Sequence, residues 1–122
     1  MSQHDLDAIA RTIVHSNLFM TVATADATGR PWASPVYYAS KNYAEFLWVS
    51  SPDALHSRNL ATRPEVSIVV FDSRAQIGEG QAVYITAVAA ELTGTDLERW
   101  ILDPGDHPIH GRTGDHRTLV RP

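Results

Sequence analysis

Residues able to do chemistry gather in two stretches of the chain. The first is Ser50-Ser51-Pro52-Asp53, followed closely by His56, Ser57 and Arg58. Its opening reads as a helix start: Ser51 can cap, Pro52 suits the first helical position, and Asp53 favours the positive end of the dipole. A helix N-terminus directs N–H groups and its dipole at an anion, and serine hydroxyls and an arginine fork add donors of the right kind. By residue type alone, the plainer reading is a cap (Ser50, Ser51), a solvated histidine (His56) and an arginine paired with Asp53 or Glu65. The second stretch is the tail, where His107, His110 and His116 lie among Asp103, Asp106 and Asp115. That spacing matches no zinc pattern, so the tail reads as a polar loop and no metal is expected. Thr113, Asp115 and His116 are near neighbours in one loop, which does not make a triad. Gly78-Glu79-Gly80 reads as a turn, too short for a phosphate loop.

The whole chain sets the bounds. Its 122 residues suit one domain, spanning 1–122. The absence of cysteine excludes disulfides, thiolate metal sites and cysteine nucleophiles. Ten Lys+Arg against fourteen Asp+Glu give a net charge of −4, so no nucleic-acid partner is expected. Hydrophobic residues make up 43% and charged residues 20%, the balance of a folded domain. The start, Met-Ser-Gln-His-Asp-Leu-Asp, has no basic or apolar region of a signal peptide, and no apolar run approaches a membrane span. The expected location is the cytoplasm, with no membrane partner.

The elements that must position these residues follow from periodicity. Leu6, Ile9, Ala10, Ile13 and Val14 fall at helical spacing over 4–16, with Ser2 or Asp5 as the cap and Asn17 as the stop. Residues 18–25 read as a strand, and Asp26 to Gly29 as a turn. A second strand, 31–40, carries Pro35, which denies a ladder bond and predicts an edge or a bulge there. A third strand is expected at 44–50, a helix from Ser51 to about Thr62, and a fourth strand at 65–72. A fifth, at 81–92, is long enough to predict a bulge or a bend. A short helix follows, capped by Thr95 or Asp96, with Leu97, Trp100 and Ile101 on its apolar face. The pattern predicts a mostly β fold: a small antiparallel barrel of six strands or fewer with peripheral helices. Trp32, Tyr37, Tyr38 and Trp48 are expected in the core or at an interface. Tyr37 and Tyr38 are assigned to the interface, on the expectation that Val36 points the other way.

The ordered motifs Gly29-Arg-Pro-Trp-Ala-Ser34-Pro35-Val36-Tyr-Tyr38, Ser50-Ser-Pro-Asp-Ala-Leu-His56-Ser57-Arg58-Asn-Leu60, Arg63-Pro-Glu-Val-Ser67 and Gln81-Ala-Val-Tyr-Ile-Thr-Ala are similar to those of the pyridoxamine 5′-phosphate oxidase-like family. The resemblance spans about 8–92. It implies an FMN-binding split β-barrel, antiparallel and Greek-key-like, working as a homodimer with flavin in grooves at the dimer interface. It implies that Ser34, Pro35 and Val36 line the isoalloxazine through the backbone, and that Val49, Ser50 and Ser51 lie near the ribityl chain and phosphate. His56, Ser57 and Arg58 would meet the phosphate, and Gln81 the edge of the ring. The basic pair at the helix start of the vitamin-making members is Leu55-His56 here, and their second-strand arginine and lysine are Ser34 and Ala39. Fewer cations imply weaker phosphate binding. The members' closing strand has at most a counterpart at Thr118–Val120, either as a stub or not at all.

The function implied is an FMN-dependent oxidoreductase acting on a small molecule, with the flavin carrying the redox chemistry. No catalytic side chain stands out. The alternative is a binding protein on the same barrel that holds flavin, a deazaflavin or haem without turnover, or has no cofactor. A metal-dependent hydrolase built on the histidine tail is a distant third.

Overall fold

The computed structural model describes residues 1–103, 105 and 115–122. Three helices surround seven strands in the order α1 (Gln3–Ser16), β1 (Phe19–Ala25), β2 (Pro31–Tyr37), β3 (Ala39–Lys41), β4 (Glu45–Ser50), α2 (Leu55–Thr62), β5 (Glu65–Phe71), β6 (Ala82–Glu91), α3 (Gly94–Leu102) and β7 (His116–Arg121). The strands form one sheet, β2-β1-β5-β6-β7-β4-β3, with antiparallel neighbours throughout.

Local signals set most boundaries. Ser2 and Asp5 form a reciprocal capping box at the start of α1: the Ser2 hydroxyl accepts from Asp5 N–H while the Asp5 carboxylate accepts from Ser2 N–H. Asp26 Oδ1 accepts from the backbone N–H of Thr28 and of Arg30 and from the Thr28 hydroxyl, which tightens the β1–β2 turn. These bonds hold the Asp26 carboxyl below its usual pKa, and Gly29 supplies the positive φ that the turn needs.

The sheet is curled into a split barrel. Its two edge strands, β2 and β3, are separated in sequence by Tyr38 alone. One residue cannot span an open sheet of seven strands, so the edges must approach each other, and β2 comes into contact with β4 across the seam. Tyr38 is fully buried there. Its N–H donates to Leu18 C=O at 3.2 Å and its hydroxyl donates to Val14 C=O. The main core lies inside the curl, around Met20, Val22, Phe46, Trp48, Ile68 and Val70. A smaller one, of Ala39, Leu47, Leu92, Trp100 and Leu119, joins α3 to the other face of the β3–β4–β7 corner.

Several expectations change. Among the described residues there are seven strands, not six or fewer, because the second predicted strand breaks into β2 and β3 and because β7 is a full strand. The break falls at Tyr38. Pro35 lies on an edge strand, as expected, with no bulge: the β1–β2 register runs unbroken from Phe19↔Tyr37 to Ala25↔Pro31. Tyr38 N–H bonds to Leu18 and Asp26 N–H bonds to Arg30 C=O, so the even-numbered residues of β2 exchange ladder bonds with β1. Pro35 therefore turns its nitrogen to the open edge and loses no bond. Tyr38 is core, not interface, because it shares Val36's face of the strand. The length of β6 has a simple reason, since Ala82 to Val88 pair with β5 and Val88 to Glu91 with β7. The cap of α3 is Thr93, ahead of Thr95 and Asp96.

Candidate functional site

The end of β4, the turn after it and the first turn of α2 form one polar corner. Side chains alternate along β4, so Trp48 and Ser50 face the main core side and Val49 the opposite one. The Ser50 and Ser57 hydroxyls lie 3.0 Å apart, and Ser57 Oγ also donates to Ser51 C=O at 2.8 Å. Ser51 is not the helix cap that its position suggests. Its hydroxyl accepts from Asp53 N–H at 3.2 Å and its carbonyl from Ala54 N–H at 3.2 Å, which closes a turn over 51–54. Pro52 and Asp53 belong to that turn, and α2 begins only at Leu55. The residue at the cap position is Ala54, which has no side-chain oxygen, so no side chain caps the first-turn amides of Leu55, His56 and Ser57.

His56 points inward. It is 9% exposed and meets the Trp48 ring edge-on, with centroids 6.5 Å apart. Burial pulls its pKa below the ordinary imidazole value, since the low-dielectric interior disfavours the cation. Its Nε2 and the Trp48 indole N–H have no hydrogen-bond partner among the described residues. One turn further, Asn59 Nδ2 donates to Thr24 Oγ1 at 3.0 Å in a buried contact that fixes α2 to β1. Arg58 is exposed, and among the described residues it pairs with neither Asp53 nor Glu65.

A cavity of about 230 Å³ opens between this face of α2 and the β6–β7 wall. Ser57, Arg58 and Ala61 line it from the helix, Glu91 from β6, and His116 and Thr118 from β7. His116 Nε2 lies 3.6 Å from Glu91 Oε1, and in the β4–β7 register His116 stands opposite Ser50. Glu91, His116 and Thr118 were absent from the sequence-derived site. In the sequence His116 reads only as part of the polar tail, and Thr118 only as the start of the Thr118–Val120 step; both belong to a six-residue strand that lies between β6 and β4.

The other candidate residues are placed as follows. Ser34 is half-buried on edge strand β2, and its hydroxyl accepts from the Trp32 indole N–H at 2.9 Å. The Val36 side chain is in the core. By the ladder alternation, the backbone groups of Ser34 and Val36 turn toward β1, whereas the N–H and C=O of Ala33 and the C=O of Pro35 turn away from it. α2 packs against both β1 and β2, which brings that edge near the corner. Gln81 is elsewhere within the chain: it borders α1, in a cleft with Ala8, Ile9, Thr12 and Ile13. Of the tail, His107, His110, Asp106 and Thr113 lie outside the described residues. Among the described residues, no three potential ligands gather to hold a metal, and no helix is long and apolar enough to cross a membrane.

The comparisons with known proteins bear on this arrangement. No curated protein matches the chain. A haem-binding protein from Mycobacterium smegmatis is 26% identical, with a TM-score of 0.71 over 90% of this chain and 48% of its own. This chain thus spans about half the length of that relative. HutZ, described as the haem storage protein of Vibrio cholerae, is 21% identical, with a TM-score of 0.71 over 98% of this chain and 89% of its own. An FAD-binding protein from Mesorhizobium loti is 18% identical, with a TM-score of 0.73 over 99% and 89%. The last two likenesses are to the fold. A family model described as pyridoxamine 5′-phosphate oxidase matches residues 6–112. Over most of its length, curled sheet and α2 corner included, this chain belongs to the pyridoxamine 5′-phosphate oxidase family.

Proposed function

We propose that the protein is an FMN-binding oxidoreductase that acts on a small molecule and works as a homodimer. One observation carries the reading: no side chain caps the α2 N-terminus, the Ser50–Ser57 hydroxyl pair lies beside it, and Arg58, unpaired among the described residues, stands at the cavity. The first-turn amides and Arg58 have no protein acceptor among the described residues, and they fit a phosphate. The amides and dipole favour the dianion, and Arg58 supplies charge. The open edge of β2, with Ala33 and Pro35 backbone groups turned outward, is a flat border along which a planar ring can lie. When bound, the flavin supplies the electron transfer. The protein then binds its phosphate, orients its ring and excludes water from one side. No side chain need act as acid or base, in keeping with the lack of a clear triad.

The homodimer is supported by the outer face of β1, β5 and β6. Phe19 is 58% exposed, Tyr84 80% and Val88 57%, and Val69 and Phe71 lie on the same face. Exposed apolar side chains gathered on one sheet face, here among Thr21, Ser67 and Thr86, suit a protein–protein surface. Pairing there is compatible with the placement of Gln81, which reaches a flavin only if the partner's groove approaches it.

A second reading is a barrel that holds haem or a deazaflavin without turnover, or holds no cofactor. It is favoured by the charge of the cavity, where Arg58 is the one fixed cation among the described lining residues and Glu91 opposes it. Titrating the purified protein separately with FMN, a deazaflavin and haemin decides between the readings. The proposal expects FMN to bind with quenched flavin fluorescence and to be reduced by a nicotinamide donor. Stoichiometric haem binding with no flavin uptake overturns it.

A further inference from the structure

We infer that His116, held by Glu91, is a second basic ligand for the phosphate end of the cofactor, facing Arg58 across the α2–β6–β7 cavity. This rests on the flavin reading above and names residues that the helix corner alone does not provide.

The argument is one of placement and charge. Ser57 and Arg58 open onto the cavity from α2, and His116 and Thr118 face it from β7. Register puts His116 directly opposite Ser50, whose hydroxyl already bonds Ser57, so both walls meet at the uncapped helix start. A phosphomonoester carries about two negative charges at neutral pH, and Arg58 is the one fixed cation among the described lining residues, so a further donor to the phosphate is needed. Glu91 Oε1 lies 3.6 Å from His116 Nε2. An imidazole ring carries at least one N–H that can donate to a phosphate oxygen. Thr118 adds a hydroxyl on the same wall. Among the described residues, the charged groups lining the cavity with His116 are Glu91 from β6 and Arg58 from α2. From β4 it meets the neutral Ser50, and Asp115 and Arg117 flank it in sequence.

The test compares FMN with riboflavin, which has the same ring and no phosphate. In the wild type, FMN binds more tightly than riboflavin. In His116→Gln, FMN affinity falls roughly tenfold at pH 6.5, the size of one charge-assisted hydrogen bond, and riboflavin affinity is unchanged. Inorganic phosphate provides the independent arm, read as a shift of the His116 ring signals in NMR. A phosphate-induced shift together with no flavin binding overturns the flavin reading and keeps the anion site. Equal losses for FMN and riboflavin in His116→Gln, or no shift with phosphate, overturn the inference.

Discussion

Ser50 and Ser57 stand seven residues apart, with hydroxyls 3.0 Å from one another, and tie the end of β4 to the first turn of α2. The turn between them is what leaves α2 uncapped. Ser51 spends its hydroxyl and carbonyl inside the turn, and Ala54, at the cap position, has nothing to offer. The helix start is therefore open to a ligand. Removing Ser57 should be felt mainly in binding. Ser57→Ala is expected to weaken FMN binding by about tenfold while costing roughly 1 kcal/mol of stability. Flavin fluorescence titration and urea unfolding read the two effects separately.

The attachment of α2 to β1 rests on a polar pair. Asn59 Nδ2 and Thr24 Oγ1 are both buried and 3.0 Å apart. Asn59→Ala leaves the Thr24 hydroxyl without this donor and removes volume under the helix. A loss of about 1–3 kcal/mol is expected, measured by urea denaturation of the apo-protein. A loss below 0.5 kcal/mol would mean that the helix is held elsewhere.

His56 gives stability a pH dependence of known sign. Its folded pKa lies below the ordinary value of 6.5, and burial is the cause. The unfolded chain thus takes up a proton at a pH where the folded one does not. Stability due to neutral His56 is fully present above about pH 6.5 and is lost as pH falls from there toward the folded pKa. His56→Phe keeps a ring against Trp48 and removes the titration. The apo-protein carrying it should lose less stability between pH 7.5 and 5.5 than the wild type does. Equal losses would show that His56 is not desolvated.

The apolar outer face predicts a dimer that a charge disrupts. Tyr84→Asp and Phe19→Asp each place a carboxylate on exposed positions outside the main core. Sedimentation should show the wild type as a dimer and both variants shifted to monomer, with circular dichroism unchanged. A wild-type monomer at micromolar concentration would remove the homodimer from the account.

How much of this could be read from the sequence depended on how local each signal was. The α1 cap was legible because Ser2 and Asp5 answer each other across three residues. The β1–β2 turn was legible because Asp26 and Gly29 act within it. The α2 start misled because Ser51-Pro52-Asp53 is a good cap sequence that here closes a separate turn. β7 was nearly invisible, since its strand state is set by β6 and β4, well over twenty residues away in sequence. Glu91 and His116 entered the cavity by that same pairing. Tyr38 was misplaced because its burial comes from the closing of two sheet edges, a property of the whole curl. Gln81 carries no mark of which end of the sheet it occupies. Only the register of β6 puts it beside α1.

The most direct test of the central claim is the visible absorption spectrum of the purified protein after incubation with FMN and desalting, run beside the Ser57→Ala/Arg58→Ala double variant. The account predicts a retained flavin band at about one equivalent per chain in the wild type, and most of it lost in the folded double variant. A wild-type protein that leaves the column colourless, or a double variant that keeps the full band, would contradict the placement of a flavin phosphate at the start of α2.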